Sequence, residues 1–131
     1  MKSKFITGLD FHMSPGSDEI YILDAPLFYQ SALLKRKVYV PPGFQTDLAS
    51  VPRVPIVFWF WGGRAHREGV LHDYLYRIDS APLVSKKVAD AVFFEAMESR
   101  GKGRFVRYPM WWGVVLGGGG SYHQRNIDFE F

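Results

Sequence analysis

The chain has no cysteine. A disulfide framework, a thiolate metal site and a cysteine nucleophile are therefore excluded, and the composition is compatible with a reducing compartment. Long apolar runs are also missing. The longest uncharged stretches are residues 54–63 and 108–124, the second diluted by glycine, Ser121, His123 and Pro109. A spanning helix needs about 20 mostly apolar residues, so no transmembrane segment is expected. Met1-Lys2-Ser3-Lys4-Phe5 leads into no signal-peptide core either. Charge of one sign is scarce: 16 Lys and Arg stand against 13 Asp and Glu, for a net +3. The densest basic groups, Lys35-Arg36-Lys37 and residues 100–107, are short, so no nucleic-acid partner is expected. No HExxH, Gly-x-Ser-x-Gly, phosphate loop or i, i+4 histidine pair is present.

Aromatic residues, in contrast, are plentiful. They make up 17% of the chain, with 11 Phe, 7 Tyr and 4 Trp. Rings dominate interfaces as well as cores, so the surplus implies a thick aromatic core or aromatic faces that meet a partner. The six consecutive apolar residues 56–61 contain Phe58, Trp59, Phe60 and Trp61. They read either as a buried strand or turn, or as a sticky surface. Trp111 and Trp112 are a second candidate contact.

The first 50 residues carry strand patterns. Phe5-Ile6-Thr7-Gly8-Leu9-Asp10-Phe11 alternates with period two, and Glu19-Ile20-Tyr21-Ile22-Leu23 is β-branched and aromatic. Leu27-Phe28-Tyr29 resumes after Asp24-Ala25-Pro26, and Lys37-Val38-Tyr39-Val40 stops at Pro41-Pro42-Gly43. Residues 43–63 look irregular. The second half is helical. Val70, Leu71, Tyr74, Leu75 and Ile78 form one stripe over residues 65–78. Val88, Ala89, Val92, Phe93, Ala96 and Met97 repeat those offsets after a Ser85 N-cap. A third helix is predicted over 109–116, opened by proline, and the alternation of Ile127, Phe129 and Phe131 suggests a last strand. The expected class is α+β: a small, mostly antiparallel N-terminal sheet packed on a C-terminal helical hairpin plus a third helix. There is neither repeat nor linker, so residues 1–131 read as one domain.

His72 is the one histidine in a context that invites chemistry. Asp73 follows it, Tyr76 lies four residues on, and the helical hairpin can bring Asp90 toward it. A carboxylate that orients an imidazole supports general-base work, because it fixes the tautomer and stabilises the imidazolium. The same imidazole could instead ligate a metal or serve as a hydrogen-bonded structural group. As a catalyst, His72 should lie within about 2.6–3.2 Å of Asp90, beside an open pocket. Asp47, in Gln45-Thr46-Asp47-Leu48-Ala49-Ser50-Val51-Pro52-Arg53, either caps a turn, pairs with Arg53 or presents oxygens to a site. Gly62 and Gly63 precede the first helix and make either a tight turn or an anion cradle. The chemical reading requires Asp47, His72 and Asp90 to converge.

Three blocks, Pro42-Gly43-Phe44-Gln45-Thr46-Asp47-Leu48-Ala49-Ser50-Val51-Pro52-Arg53, Val70-Leu71-His72-Asp73-Tyr74-Leu75-Tyr76 and Lys87-Val88-Ala89-Asp90-Ala91-Val92-Phe93, together resemble a family of tailed bacteriophages and prophages, domain of unknown function 1353. The resemblance spans roughly residues 23–117 and implies a phage origin. Taken with the aromatic surplus and the glycine-rich segment 117–120, it points to a virion-associated tail or head–tail component, or an accessory protein, located in the virion or the host cytoplasm. Its partners would be other phage structural proteins or a host protein, with homo-oligomers left open. The His72-Asp73 helix with Tyr76 is also similar to secreted phospholipases of the A2 type. That likeness implies a metal-dependent hydrolase: His72 activates a water and Asp90 orients it. Asp73 would hold calcium with carbonyls near Gly62 and Gly63, Asp47 is a further metal candidate, and zinc is the other ion considered. The chain departs from those enzymes in having no cysteine and only a short interval between Gly63 and His72.

Overall fold

The computed structural model describes residues 2–13, 15–16, 20–46, 66–77, 79–101, 108, 111, 112 and 115. Six strands come first: β1 (Lys4–Phe5), β2 (Phe11–Met13), β3 (Tyr21–Leu23), β4 (Leu27–Ser31), β5 (Arg36–Val40) and β6 (Gln45–Thr46). Two helices follow, α1 (His66–Leu75) and α2 (Lys86–Ser99). The strands form two antiparallel sheets, β1-β4-β5 and β2-β3-β6. The class is α+β, as the patterns predict.

The β4–β5 hairpin is the longest pairing, from Leu27↔Val40 to Ser31↔Arg36. Its alternation is clean: Leu27, Tyr29, Ser31, Val38 and Val40 are buried, while Lys37 and Tyr39 face out. β5 ends at Val40, before the two prolines. Gly43 then takes a left-handed φ of 83°, a region glycine enters without Cβ strain. That turn returns the chain to β3: Gly43 N–H donates to Leu23 C=O at 2.8 Å and Leu23 N–H to Phe44 C=O at 3.1 Å.

Two expectations change here. The strand predicted through residues 5–11 splits, and its halves join different sheets. The cause is Thr7. Its hydroxyl accepts from Phe28 N–H at 3.0 Å and donates to Pro26 C=O at 3.3 Å, so a side chain replaces the next ladder bond. The stretch predicted as irregular from residue 43 contains β6, whose two residues pair with Tyr21 and Ile22. A strand that short carries no readable period.

α2 follows its stripe. Ser85 caps it by accepting from Val88 N–H at 3.2 Å, and Ala89, Val92, Phe93, Ala96 and Met97 are buried. α1 does not behave as a surface helix. Every residue from 68 to 77 is buried, including Glu68, His72, Asp73 and Arg77. The helix also stops before Ile78, with Tyr76 N–H shared between His72 C=O at 3.0 Å and Asp73 C=O at 3.3 Å as the turn tightens. Glu68 meets Arg100 whereas Tyr76 meets Asp90, so α1 and α2 run antiparallel.

One apolar cluster joins these parts: Leu23 and Phe44 from the second sheet's side, Leu27, Tyr29, Val38 and Val40 from the first, and Leu71, Leu75, Val92 and Ala96 from the helices. Glu95 pins the hairpin to α2. Its carboxylate accepts from Tyr29 OH and Ser31 OH, each at 2.7 Å, and from Leu33 N–H at 2.8 Å. Burial, and then that bond to Glu95, push the Tyr29 phenol far above its usual range. Tyr108, Trp111, Trp112 and Val115, which lie in or next to the predicted third helix, have helical backbone. Its other residues and the predicted last strand lie outside the described residues. No helix among the described residues is long and apolar enough to cross a membrane.

Candidate functional site

Because α1 is buried on all sides, each of its ionisable groups needs an internal partner. An unpaired buried charge would cost several kcal/mol. Three sets of partners meet that demand, one on each flank and one at the start of the helix.

On the α2 flank, His72 Nε2 lies 2.7 Å from Asp90 Oδ1, and Tyr76 OH donates to the same oxygen at 2.6 Å. Lys86 Nζ donates to Asp90 Oδ2 at 2.8 Å and to the carbonyl of Val115 at 3.0 Å. The imidazole is packed between the Tyr76 ring, 4.1 Å away, and the Phe93 ring, 4.9 Å away. Burial pushes the His72 pKa below its ordinary value despite the pull of Asp90. Burial also pushes Asp90 upward, but hydrogen bonds from His72, Lys86 and Tyr76 outweigh it and hold the carboxyl below the usual carboxylate range. At neutral pH, then, an anionic Asp90 faces a neutral imidazole that donates through Nε2.

On the other flank, Arg77 grips Asp73 with both arms of its fork, Nη1 to Oδ1 at 3.1 Å and Nη2 to Oδ2 at 2.8 Å. Thr46 OH donates to Asp73 Oδ2 as well. The guanidinium reaches the Gln45 carbonyl at 3.5 Å and lies 5.5 Å over the Phe44 ring. The pair thus fastens α1 to β6. At the helix start, buried Glu68 pairs with Arg100 at 2.9 Å.

Of the residues singled out by sequence, His72 and Asp90 are brought together at a catalytic distance, yet His72 is 0% exposed. Asp73 is turned away from them toward Arg77, and both of its oxygens are engaged. Asp47, Phe58, Trp59, Phe60, Trp61, Gly62 and Gly63 lie outside the described residues, as does Arg53. Among the described residues, no group of three or more His, Asp and Glu is placed to hold a metal. Sequence reasoning missed Arg77, Lys86, Thr46 and Glu95. Arg77 and Lys86 had a signal, since Asp73–Arg77 and Lys86–Asp90 are both i, i+4 pairs. Thr46 and Glu95 had none, because their partners are remote in sequence.

An apolar cavity of about 290 Å³ opens on another face of α2, lined by Ala91, Phe94, Tyr108 and Trp111. Phe94 meets Tyr108 and Trp111 edge to face, at 5.2 and 6.1 Å. Tyr108 is 49% exposed, and Trp112, next to Trp111 in the chain, is 58% exposed.

No curated protein and no solved structure matches this chain. Residues 21–114 match the model of one family, described as a protein of unknown function (DUF1353), and the chain belongs to that family.

Proposed function

We propose that this DUF1353 protein is a virion-associated or accessory protein of a bacteriophage or prophage, and that it acts by protein–protein contact through its tryptophan-bearing face. The observation that carries this reading is a contrast in access. The cavity lined by Phe94, Tyr108 and Trp111 is open, and Tyr108 and Trp112 are exposed, whereas the His72 imidazole has no surface. Aromatic anchors around a small apolar pocket are the residues that concentrate binding energy in interfaces. The resemblance of three sequence blocks to a family of phages and prophages supplies the setting, with phage structural proteins or a host protein as partners. The test is mass spectrometry of particles purified from a producing host, comparing the wild-type chain with Ala91→Arg, which fills the cavity. Wild-type chain in the particles, and loss of a folded Ala91→Arg variant from them, is the expected result. Particles free of the wild-type chain would remove the virion assignment.

A second reading has its own observation. The Nε2 bond to Asp90 leaves Nδ1 as the basic nitrogen of His72, the tautomer that an imidazole base requires. On that reading the chain is a metal-dependent hydrolase of the phospholipase A2 type, with Asp90 orienting His72; because Arg77 and Thr46 occupy Asp73, calcium or zinc would fall to Asp47, Gly62 and Gly63. Ester hydrolysis that depends on either ion and disappears in His72→Asn would establish it; no turnover with either ion would end it.

A further inference from the structure

Among the described residues β5 is an edge strand: in the order β1-β4-β5 it pairs with β4 alone. Which of its backbone groups face outward follows from β4. Ile6 N–H donates to Phe28 C=O at 2.9 Å, and Phe28 N–H donates to Thr7 OH at 3.0 Å, so Phe28 turns its peptide groups toward β1. Alternation turns Tyr29 toward β5, where it faces Val38. Lys37 and Tyr39 therefore direct their N–H and C=O groups to the open edge. The only described partner there is Arg36 itself, whose Nε reaches the Lys37 carbonyl at 3.4 Å. The edge is basic, with Lys35, Arg36 and Lys37 all exposed.

The same sequence contains a segment of matching chemistry. Residues 127–131 read Ile127-Asp128-Phe129-Glu130-Phe131, acid alternating with large apolar. We propose that the open edge of β5 receives residues 127–131 of a second copy of this chain as an added antiparallel strand. The register that matches all five residues of β5 to all five of this segment satisfies both faces. Placing Glu130 opposite Lys37 and Asp128 opposite Tyr39 lets these residues exchange backbone bonds in pairs, with their acids on the exposed, basic side. Phe129 then lies beside Val38 and Ile127 beside Val40, extending the row that faces the core. A slip of one residue would move all three apolar side chains to the solvent face. Strand addition of this kind takes its affinity from main-chain bonds and its specificity from alternate side chains. Each copy offers one edge and one strand, so the pairing closes as a reciprocal dimer or a ring, and otherwise runs on as a filament.

Sedimentation velocity over a range of concentrations tests this on the full chain, a chain ending at 126, Lys37→Glu, and Asp128→Lys with Glu130→Lys. The full chain is expected to self-associate and the chain ending at 126 to stay monomeric. Each charge-reversed chain should associate about tenfold more weakly, because like charges then oppose each other across the pair. Mixing the two reversed chains restores association, a rescue that a merely misfolded variant cannot show. Trp112→Ser is expected to leave self-association unchanged, which separates this edge from the tryptophan-bearing face. A full chain that stays monomeric throughout would overturn the proposal. So would association that survives removal of residues 127–131, since β5 or the tryptophan face would then be pairing with something else.

Discussion

Asp90 takes hydrogen bonds from three side chains on two helices, and the consequences of losing it differ from those of losing any donor. Asp90→Ala leaves Lys86 and the His72 N–H without their common acceptor in the interior. We expect it to cost about 3–5 kcal/mol, the range for breaking one side of a buried pair. Tyr76→Phe removes a single bond and should cost about 1–2 kcal/mol; urea unfolding of both variants checks the ranking. Acid gives a second test. The His72 pKa is held below its unfolded value of about 6.5 by burial. The unfolded chain therefore binds the proton first, and stability should fall as pH drops below about 6.5, continuing until the folded imidazole titrates. The Asp90 pKa is depressed as well, so its contribution is present above about 3.9 and lost at lower pH. A pH series of urea midpoints should show both losses, and His72→Gln should flatten only the first. Asp73 makes a further prediction. Arg77 and Thr46 occupy its oxygens, so calcium added to the native protein should produce no calorimetric heat at this carboxylate, and Asp73→Asn should leave the titration unchanged.

Among the elements, α2 carries the most contacts that can be tested separately. Ser85→Ala removes its N-cap and should cost about 1 kcal/mol. Glu95→Ala removes the acceptor shared by Tyr29, Ser31 and Leu33 N–H and should cost about 3 kcal/mol, with hydrogen exchange rising first in the β4–β5 hairpin. The first of these residues was plain in the sequence and the second was not. Ser85 stands immediately before a 3.6-residue stripe, so local spacing identifies it. Glu95 looks like any solvent-facing acid until the hairpin is folded over it. The same limit explains α1. Its apolar stripe was legible, and so was the meeting of His72 with Asp90, because both lie on antiparallel helices joined by a short connection. The burial of its polar flank was not. Asp73 and Arg77 have the i, i+4 spacing of an exposed helix face, and only partners from β6 and the end of α2 make their burial, and that of Glu68, tolerable. β6 itself is two residues long, and Thr7 ends β1 through a hydroxyl, an event no hydropathy pattern encodes.

At the scale of the whole molecule, the described buried groups His72, Asp90, Asp73 and Arg77 are held in pairs while the side chains of Tyr108 and Trp112 lie exposed. Exposed residues away from caps and pairs contribute little to stability. Trp112→Ser should therefore change the unfolding free energy by no more than about 0.5 kcal/mol and, on the proposed contact reading, abolish recovery of the chain with purified particles. A large loss of stability in that variant would mean that the indole belongs to the fold rather than to a contact.

The two regions are not mechanically independent. Lys86 divides its ammonium between Asp90 and the Val115 carbonyl, and Val115 belongs to the helical segment that bears Trp111 and Trp112. Any shift of that segment under a bound protein changes how much of the Lys86 charge Asp90 retains, and with it the proton shared with His72. The ring resonances of the buried His72 imidazole should thus serve as a gauge of any protein that binds over the exposed Trp112 indole.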